Sequence, residues 1–263
     1  MEETRLDLLE AALSRMGIER PTICLLQDKD GILVARVAFE GRSMILKLFE
    51  RREFCREIGN YQILSSLKIP TLRVLSAAEN ALLLEDLCEN GFYRLGTEED
   101  LADPQVAALV AGWYKTLHQK GCAYVRRRGG ALYDENDVIT RKNIEQIKLQ
   151  TQTSALPVWD VLARGFETIV RRVGAARRTL TYNDFYHTNL AVARDRTAAL
   201  LFDYNLLGKG YAYADIRNVC SVLQEEARTA FLRAYGEFDS SEILIDAVAS
   251  VLVTLHFACR KPR

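Results

Sequence analysis

Residues 181–192 read TYNDFYHTNLAV, and the fold turns on how that stretch is read. It sets an Asp, a His and two Asn among aromatic side chains, directly before an apolar run suited to a strand. After the polar turn RDRT (194–197), a second apolar run ends in AALLFDYN (198–205). Two short strands joined by a tight turn pair as a hairpin. That pairing returns Asp203, at the end of the second strand, to the neighbourhood of Asn189, at the start of the first. Asp184 lies five positions before Asn189. An acid, an amide and a second acid meeting at strand ends offer the oxygen ligands that a hard divalent cation takes. The plainer alternative is a polar turn with a helix cap.

The rest of the chain bounds what such a site could serve. Its 263 residues suffice for one large domain or two modest ones with a substantial core. Thirty-five basic residues balance 35 acidic ones, so no overall field favours nucleic acid or an anionic membrane. The run RRRGG at 126–130 reads as a solvated surface. The six cysteines form no C-x-x-C pair, which points to reduced thiols in a cytoplasmic protein rather than a disulfide frame or zinc site. The amphipathic amino terminus lacks a signal-peptide core, and no apolar run is expected to be long enough to cross a bilayer.

Upstream, Leu6, Leu9, Leu13 and Met16 recur at helical spacing and predict a helix ending near Gly17. Three strand-like segments follow, TICLL (22–26), ILVARVAF (32–39) and SMILKLF (43–49), with Gly41 suited to a hairpin turn. RREFCREIGNYQILSSL (51–67) is a helix stopped by Pro70, with Phe54, Ile58, Tyr61 and Leu64 on one face. LRVLSA and ALLLEDL add two strands, making about five in one sheet. Beyond Leu87 the texture becomes helical. PQVAALVAGWYKTLHQKG (104–121) starts on a proline and is expected to end at Gly121. Further helical patterns occupy 137–151, 158–173, 213–236 and 240–260. The predicted class is α+β: a small β-rich lobe with one main helix (residues 1–87), joined through LEDLCENG to a larger helical lobe (88–263), with a cleft between them as the natural ligand site.

Lys47 lies inside the apolar strand MILKLF, where a lysine without a partner is costly. Glu57, ten positions on, offers that partner; Glu53, one turn earlier on the same face, is the alternative. A half-buried strand with Lys47 on its exposed face is the simpler explanation for the lysine alone. The joint order is less common: a strand lysine, a helix glutamate, D-x-x-x-x-N, then a strand and an Asp. It is the order of kinase sites.

Here the chain resembles the aminoglycoside phosphotransferase and choline kinase group of protein-kinase-like small-molecule kinases. Their catalytic segment reads approximately H-G-D-x-H-x-x-N, a hairpin, I-D-[WFL]-x, then G-x-G-x-x-x-x-D-[LI]; this chain has YNDFYHTN, LAVARDRTAALLF, FDYN and LLGKGYAYADI. CREIGNYQILSSLKIPTLRVL is similar to the family's glutamate helix and next strand, LLLEDL to its hinge and WYKTLHQKG to its L-H-x-x-G helix end. The likeness spans nearly the whole chain and is weakest over 133–173.

The resemblance implies a two-lobe fold and transfer of the γ-phosphoryl group of ATP (or GTP) to a hydroxyl of a small molecule, an aminoglycoside-like antibiotic, amino alcohol or sugar. Asp184 would be the base, Asn189 and Asp203 the Mg2+ ligands, and Lys47, oriented by Glu57, the phosphate ligand. Glu85, Asp86 and Leu87 would form the hinge at adenine. Asp215 resembles the Asp that steadies the catalytic loop, a role compatible with a plain N-cap. Tyr182 replaces the usual first His, His187 falls where Pro is frequent and Asn205 where Glu is frequent. Gly31 is the single glycine of its loop. Residues 204–214, without Ser or Thr, are too short for a protein kinase's activation loop, which favours a small acceptor. Glu237, Asp239, Glu242 and Asp246 could meet an amino group; a solvated acidic face explains them as well. Two other readings are a catalytically weak nucleotide-binding regulator and an unrelated two-domain protein. The sequence assigns no oligomeric state.

Overall fold

The computed structural model describes residues 2–260. In chain order the first half carries α1 (Glu2–Arg15), β1 (Thr22–Lys29), β2 (Ile32–Phe39), β3 (Arg42–Phe49), α2 (Arg56–Ser66), β4 (Val74–Ala78), β5 (Ala81–Glu85), β6 (Tyr93–Leu95) and α3 (Pro104–Arg128). There follow α4 (Arg141–Gln150), α5 (Val158–Ala175), β7 (Thr179–Thr181), β8 (Leu190–Ala193), β9 (Ala199–Leu201), β10 (Gly208–Gly210), α6 (Ala212–Val222), α7 (Glu225–Tyr235) and α8 (Ser241–Arg260). The result is the expected α+β fold of protein-kinase-like type, with a sheet in the N-terminal region and helices in the C-terminal region.

Contacts group the chain into two compact units. The first holds the residues up to Trp113 with Asp184–Leu207 and Val222–Tyr235. Its antiparallel sheet has the order β1-β2-β3-β5-β4. The β1–β2 and β2–β3 turns place Asp30–Gly31 and Glu40–Gly41 at positive φ, the backbone that a two-residue hairpin with the strands' own twist requires. Leu9, Ala12 and Leu13 of α1 pack against Leu33, Ala35, Val37, Leu46 and Leu83 of this sheet. The predicted 190–201 hairpin is present, pairing Leu190 with Leu201 and Ala191 with Leu200. β6, which has no long apolar run to announce it, adds a third strand by pairing with β8.

The second unit comprises Tyr114–Asn183, Gly208–Ser221 and the chain from Gly236 onward. Ile139, Val173, Ala249, Leu252 and Val253 form its helical core, and β7 pairs with β10. Three expectations are corrected. The helical pattern over 213–236 is two helices, α6 and α7. Gly121 does not end α3, which continues to Arg128. It is instead the point where the helix presses on β7: a Cβ there would lie 2.7 Å from both the Cβ and the backbone nitrogen of Leu180. Finally, α8 is long and apolar enough to cross a membrane by length and composition, with a mean hydropathy of 1.8. Its buried stripe nevertheless carries Glu242, Asp246 and His256. Glu242 accepts the Tyr213 backbone N–H at 2.9 Å and Asp246 the Arg217 Nε–H at 2.8 Å, which ties the helix to the unit's interior.

Gly121→Ala tests the α3–β7 contact. Alanine favours a helix interior by about 1 kcal/mol, whereas forcing a methyl into a packed backbone costs about 1–3 kcal/mol. The expected outcome is a net loss of up to about 2 kcal/mol in urea unfolding; a more stable variant would contradict the close approach.

Candidate active site

In the first unit, Lys47 on β3 is 7% exposed, so the half-buried strand with an outward lysine is not what forms. A buried ammonium ion needs opposite charge at close range. Lys47 Nζ lies 2.6 Å from Glu57 Oε2 and 2.7 Å from Asp203 Oδ1. The alternative partner, Glu53, is exposed and lies near Arg51 instead. Glu57 accepts the Tyr204 N–H at 3.2 Å through its other oxygen. Asn60, one turn further along α2, donates to the Tyr204 carbonyl at 2.7 Å. The Tyr61 and Tyr204 rings meet edge to face at 4.8 Å. The buried face of α2 is therefore Glu57, Asn60, Tyr61 and Leu64. Apolar periodicity found Tyr61 and Leu64 and missed the two polar residues that grip the end of the hairpin.

Asp203 itself has φ +62°, a left-handed backbone that costs a non-glycine residue about 1 kcal/mol or more. Such geometry persists where surroundings over-determine it, and here Lys47 on one side and Tyr204 on the other do so. Asn189 is placed by the hairpin: its carbonyl accepts the Phe202 N–H at 3.0 Å, next to Asp203. Its side-chain Nδ2 donates to Asp184 Oδ2 at 3.2 Å and to the Asp184 carbonyl at 3.1 Å. Asp184, Asn189, Asp203, Lys47 and Glu57 are thus linked through one set of contacts.

The electrostatics follow from burial. Burial pushes the Asp184 carboxyl up to about 6, helped by the nearby Asp203 charge and opposed by the Asn189 hydrogen bond and Lys47. Glu57 is pushed up to about 7 by burial, with Lys47 pulling the other way. For Lys47, burial disfavours the ammonium, but Glu57 and Asp203 outweigh it and hold the group above the ordinary lysine range.

With its Nδ2 engaged, Asn189 keeps Oδ1, and Asp203 keeps Oδ2, without a protein hydrogen bond among the described residues. No group of three or more His, Cys, Asp or Glu suited to a metal forms among them either. Two oxygen donors from the protein suit Mg2+, which retains waters and takes substrate phosphates for the remainder.

Glu85 and Asp86, expected at the hinge from the resemblance, are held by their side chains. Glu85 accepts the Arg73 N–H and the Asn90 amide, each at 2.7 Å. Asp86 accepts Ser43 Oγ–H at 2.6 Å, Arg36 Nε–H at 2.7 Å and Cys88 N–H at 2.9 Å. Burial works against the Asp86 charge, yet these donors prevail and keep its carboxyl below the usual range. Leu87 is buried.

In the second unit Asp215, inside the first turn of α6 rather than capping it, accepts the backbone N–H of Tyr182 and of Asn183, each at 2.8 Å. His118 Nε2 lies 3.0 Å from Asp215, and the His118 carbonyl accepts Thr179 Oγ–H at 2.6 Å. Tyr182, in place of the family's usual His, is fully buried beside Tyr114. Asn183, where the family pattern has Gly, sits at φ +64°, which Asn tolerates better than other side chains. Asn205 accepts from Arg56 Nε–H through its backbone oxygen at 2.6 Å. The acidic C-terminal residues divide: Glu237 and Asp239 are exposed, whereas Glu242 and Asp246 are buried and partnered, so a solvated face does not describe that pair.

A sheet-borne lysine held by a helix glutamate, beside a D-x-x-x-x-N loop and a strand-end Asp, is the construction of a small-molecule kinase, and the family comparison agrees. The sequence matches the phosphotransferase enzyme family, APH, over residues 27–249, and the chain belongs to that family. No curated protein matches it by sequence. Its fold is similar to macrolide 2'-phosphotransferase MphH from Brachybacterium faecium (TM-score 0.65, 14% identity, covering 98% of this chain and 99% of that one). It is similar also to choline kinase LicA from Streptococcus pneumoniae (TM-score 0.67, 10% identity, 99% and 93%). A third similar structure is spectinomycin phosphotransferase in complex with ADP and spectinomycin (TM-score 0.58, 11% identity, 97% and 94%).

Lys47→Ala is expected to lower stability by about 3–5 kcal/mol near pH 8, because it leaves Glu57 and Asp203 facing each other without a cation. Glu57's carboxyl is raised in the folded protein, so its charge is the unfavourable form and protonation relieves it. The deficit should shrink as pH falls from 8 towards 5. Denaturant unfolding at several pH values reads this directly; a pH-independent deficit would contradict it.

Proposed function

We propose that the protein moves the γ-phosphoryl group of ATP or GTP to a hydroxyl of a small molecule, with Asp184 as the base. The observation that carries this reading is the Lys47 ammonium set between Glu57 and Asp203, within reach of the Asp184–Asn189 pair. Lys47 would bind the α- and β-phosphates, with Glu57 fixing its direction. Backbone groups of Glu85, Asp86 and Leu87 would meet the base of the nucleotide, their loop stiffened by the side-chain hydrogen bonds already described. Asn189 and Asp203 would hold Mg2+, which supplies charge neutralisation on the phosphates when bound.

Chemically, the acceptor oxygen attacks the γ-phosphorus, the bond to the β,γ-bridging oxygen breaks with its electron pair going to ADP, and the hydroxyl proton passes to Asp184. Phosphoryl transfer depends mainly on positioning and charge stabilisation. The fixed triangle of residues 47, 57 and 203 meets that requirement. Support for a nucleotide comes from the ADP complex among the similar structures. A small acceptor fits the short 204–214 segment and the names of the similar enzymes.

Asp184→Asn should abolish turnover while leaving nucleotide affinity within about threefold, because it removes the proton acceptor and keeps the shape. ATP turnover together with nucleotide binding by calorimetry decides this; a variant that still turns over would refute the assignment. The ionised carboxylate is the working form, so kcat/KM should fall about tenfold per pH unit on the acid side. Burial raises the carboxyl to about 6 and an adjacent cation lowers it, so that limb should lie at or below about pH 6.

A further inference from the structure

Zero net charge over the whole chain conceals a local excess in the second unit. Residues 119–130, at the end of α3, and 171–178, at the end of α5, carry four basic residues each and no acidic one. The fold brings the two segments together: Arg177 Nε–H donates to Cys122 Sγ at 3.3 Å, next to the close approach of Gly121 and Leu180. Arg126, Arg127, Arg128, Arg171, Arg172 and Arg177 are exposed and form no ion pair within 4.0 Å among the described residues. The start of α8 borders this cluster, since Glu242 in its first turn is within electrostatic reach of Arg177. Glu242 and Asp246 anchor the inner stripe of α8, yet only 33% of its apolar window is buried. On the outer side Ile243, Leu244, Ala247, Val248, Val251 and Phe257 are exposed, Leu244 by 67% and Val251 by 52%. From Ile243 to Ala258 no exposed residue is charged. At 1.5 Å per residue that face is about 24 Å long, and the exposed Arg260 closes its far end. The acids nearest to it in the chain, Glu237 and Asp239, precede the first turn, and Asp239 accepts the Ser241 N–H at 2.9 Å.

We propose that this face of the second unit docks on an anionic lipid surface, with α8 lying in the headgroup region and the arginines on lipid phosphates. A continuous exposed apolar face marks an interaction site. A helix of this kind lies in the plane of a bilayer interface with its apolar side sunk by about 5–10 Å. Arginine stems reach the headgroups from the margin of such a helix, and each basic residue near an anionic leaflet adds attraction. Charge selects this partner over two others. A nucleic acid would neutralise the arginines and leave the α8 stripe in water. A second copy of the chain would cover the stripe, but an antiparallel pairing of α8 sets Arg260 of one copy against the arginine cluster of the other. A parallel pairing sets like ends together, so either brings arginine to arginine with no acid on the face to offset them. Only an anionic bilayer is apolar where α8 is apolar and negative where its borders are positive. The helix lies on the bilayer and does not cross it, because Glu242 and Asp246 keep their partners inside the unit. Docking of this kind is independent of phosphotransfer.

Co-sedimentation of the full chain with vesicles tests this without nucleotide. Wild-type protein should partition onto vesicles of equal parts phosphatidylcholine and phosphatidylglycerol, and at least about tenfold less onto phosphatidylcholine alone. Raising salt from about 0.1 M to about 1 M shortens the screening length from about 10 Å to about 3 Å and should weaken partitioning at least about tenfold. The triple variant Arg126→Gln, Arg127→Gln, Arg128→Gln and the double variant Leu244→Asp, Val251→Asp should each lose at least about tenfold. Their thermal midpoints should match wild type, because all five positions are exposed. Val251→Trp reads insertion directly: its added emission should shift to the blue on the anionic vesicles and be quenched by brominated acyl chains. No partitioning by wild type, partitioning that the double variant leaves unchanged, or a Val251→Trp emission that stays unshifted overturns the proposal. Polyuridylate binding that the triple variant abolishes, without vesicle binding, assigns the arginines to RNA and overturns it as well. So does a dimer in sedimentation velocity that the double variant splits, without vesicle binding by wild type.

Discussion

A lysine ammonium in the interior of a strand sets the terms for the rest of the first unit. Lys47 is enclosed by the sheet core, and taking a charge out of water costs several kcal/mol unless opposite charge meets it at contact distance. Two carboxylates answer it, one from the next helix and one from the end of a hairpin 156 positions away. Satisfying that lysine fixes the rotation of α2 about its axis, the seat of the β8–β9 hairpin and the unusual backbone of Asp203. Each of these in turn positions a group of the candidate site. The site is a by-product of solving the burial of Lys47 and Glu57, which explains why its members are close and mutually dependent.

The second unit uses its acids differently. Asp215 spends both oxygens on consecutive backbone amides, a rigid clamp on the two residues before Asp184. Glu242 and Asp246 anchor an otherwise apolar α8. Such fully partnered carboxylates stabilise and orient.

The departures from the family pattern have simple physical readings. At position 182 the clamp from Asp215 grips the backbone N–H, which any residue other than proline supplies, so a buried Tyr ring serves where His is usual. Position 183 needs a left-handed backbone, and Asn follows Gly as the residue that accepts it. Identities of 10–14% with TM-scores of 0.65–0.67 show the same fold built from largely different side chains.

Local pattern carried much of the fold. The periods of α1, α2 and the five sheet strands, and the hairpin around 194–197, were legible because they depend on residues a few positions apart. So was the order Lys47, Glu57, Asp184, Asn189, Asp203. β6, β7 and β10 were not, because three-residue strands have no period to read and exist by pairing with distant partners. Gly121 looked like a helix end, since its true reason, the backbone of Leu180, lies 59 positions along the chain. Sequence alone left Lys47 between Glu57 and Glu53, and left Asp246 on a solvated face, because burial is a property of the assembled chain. What the sequence by itself determined was the inventory of charged groups and their order; the tertiary structure decided which of them lose water, and desolvation is what turns a carboxylate from a soluble surface group into a partner, an anchor or a site.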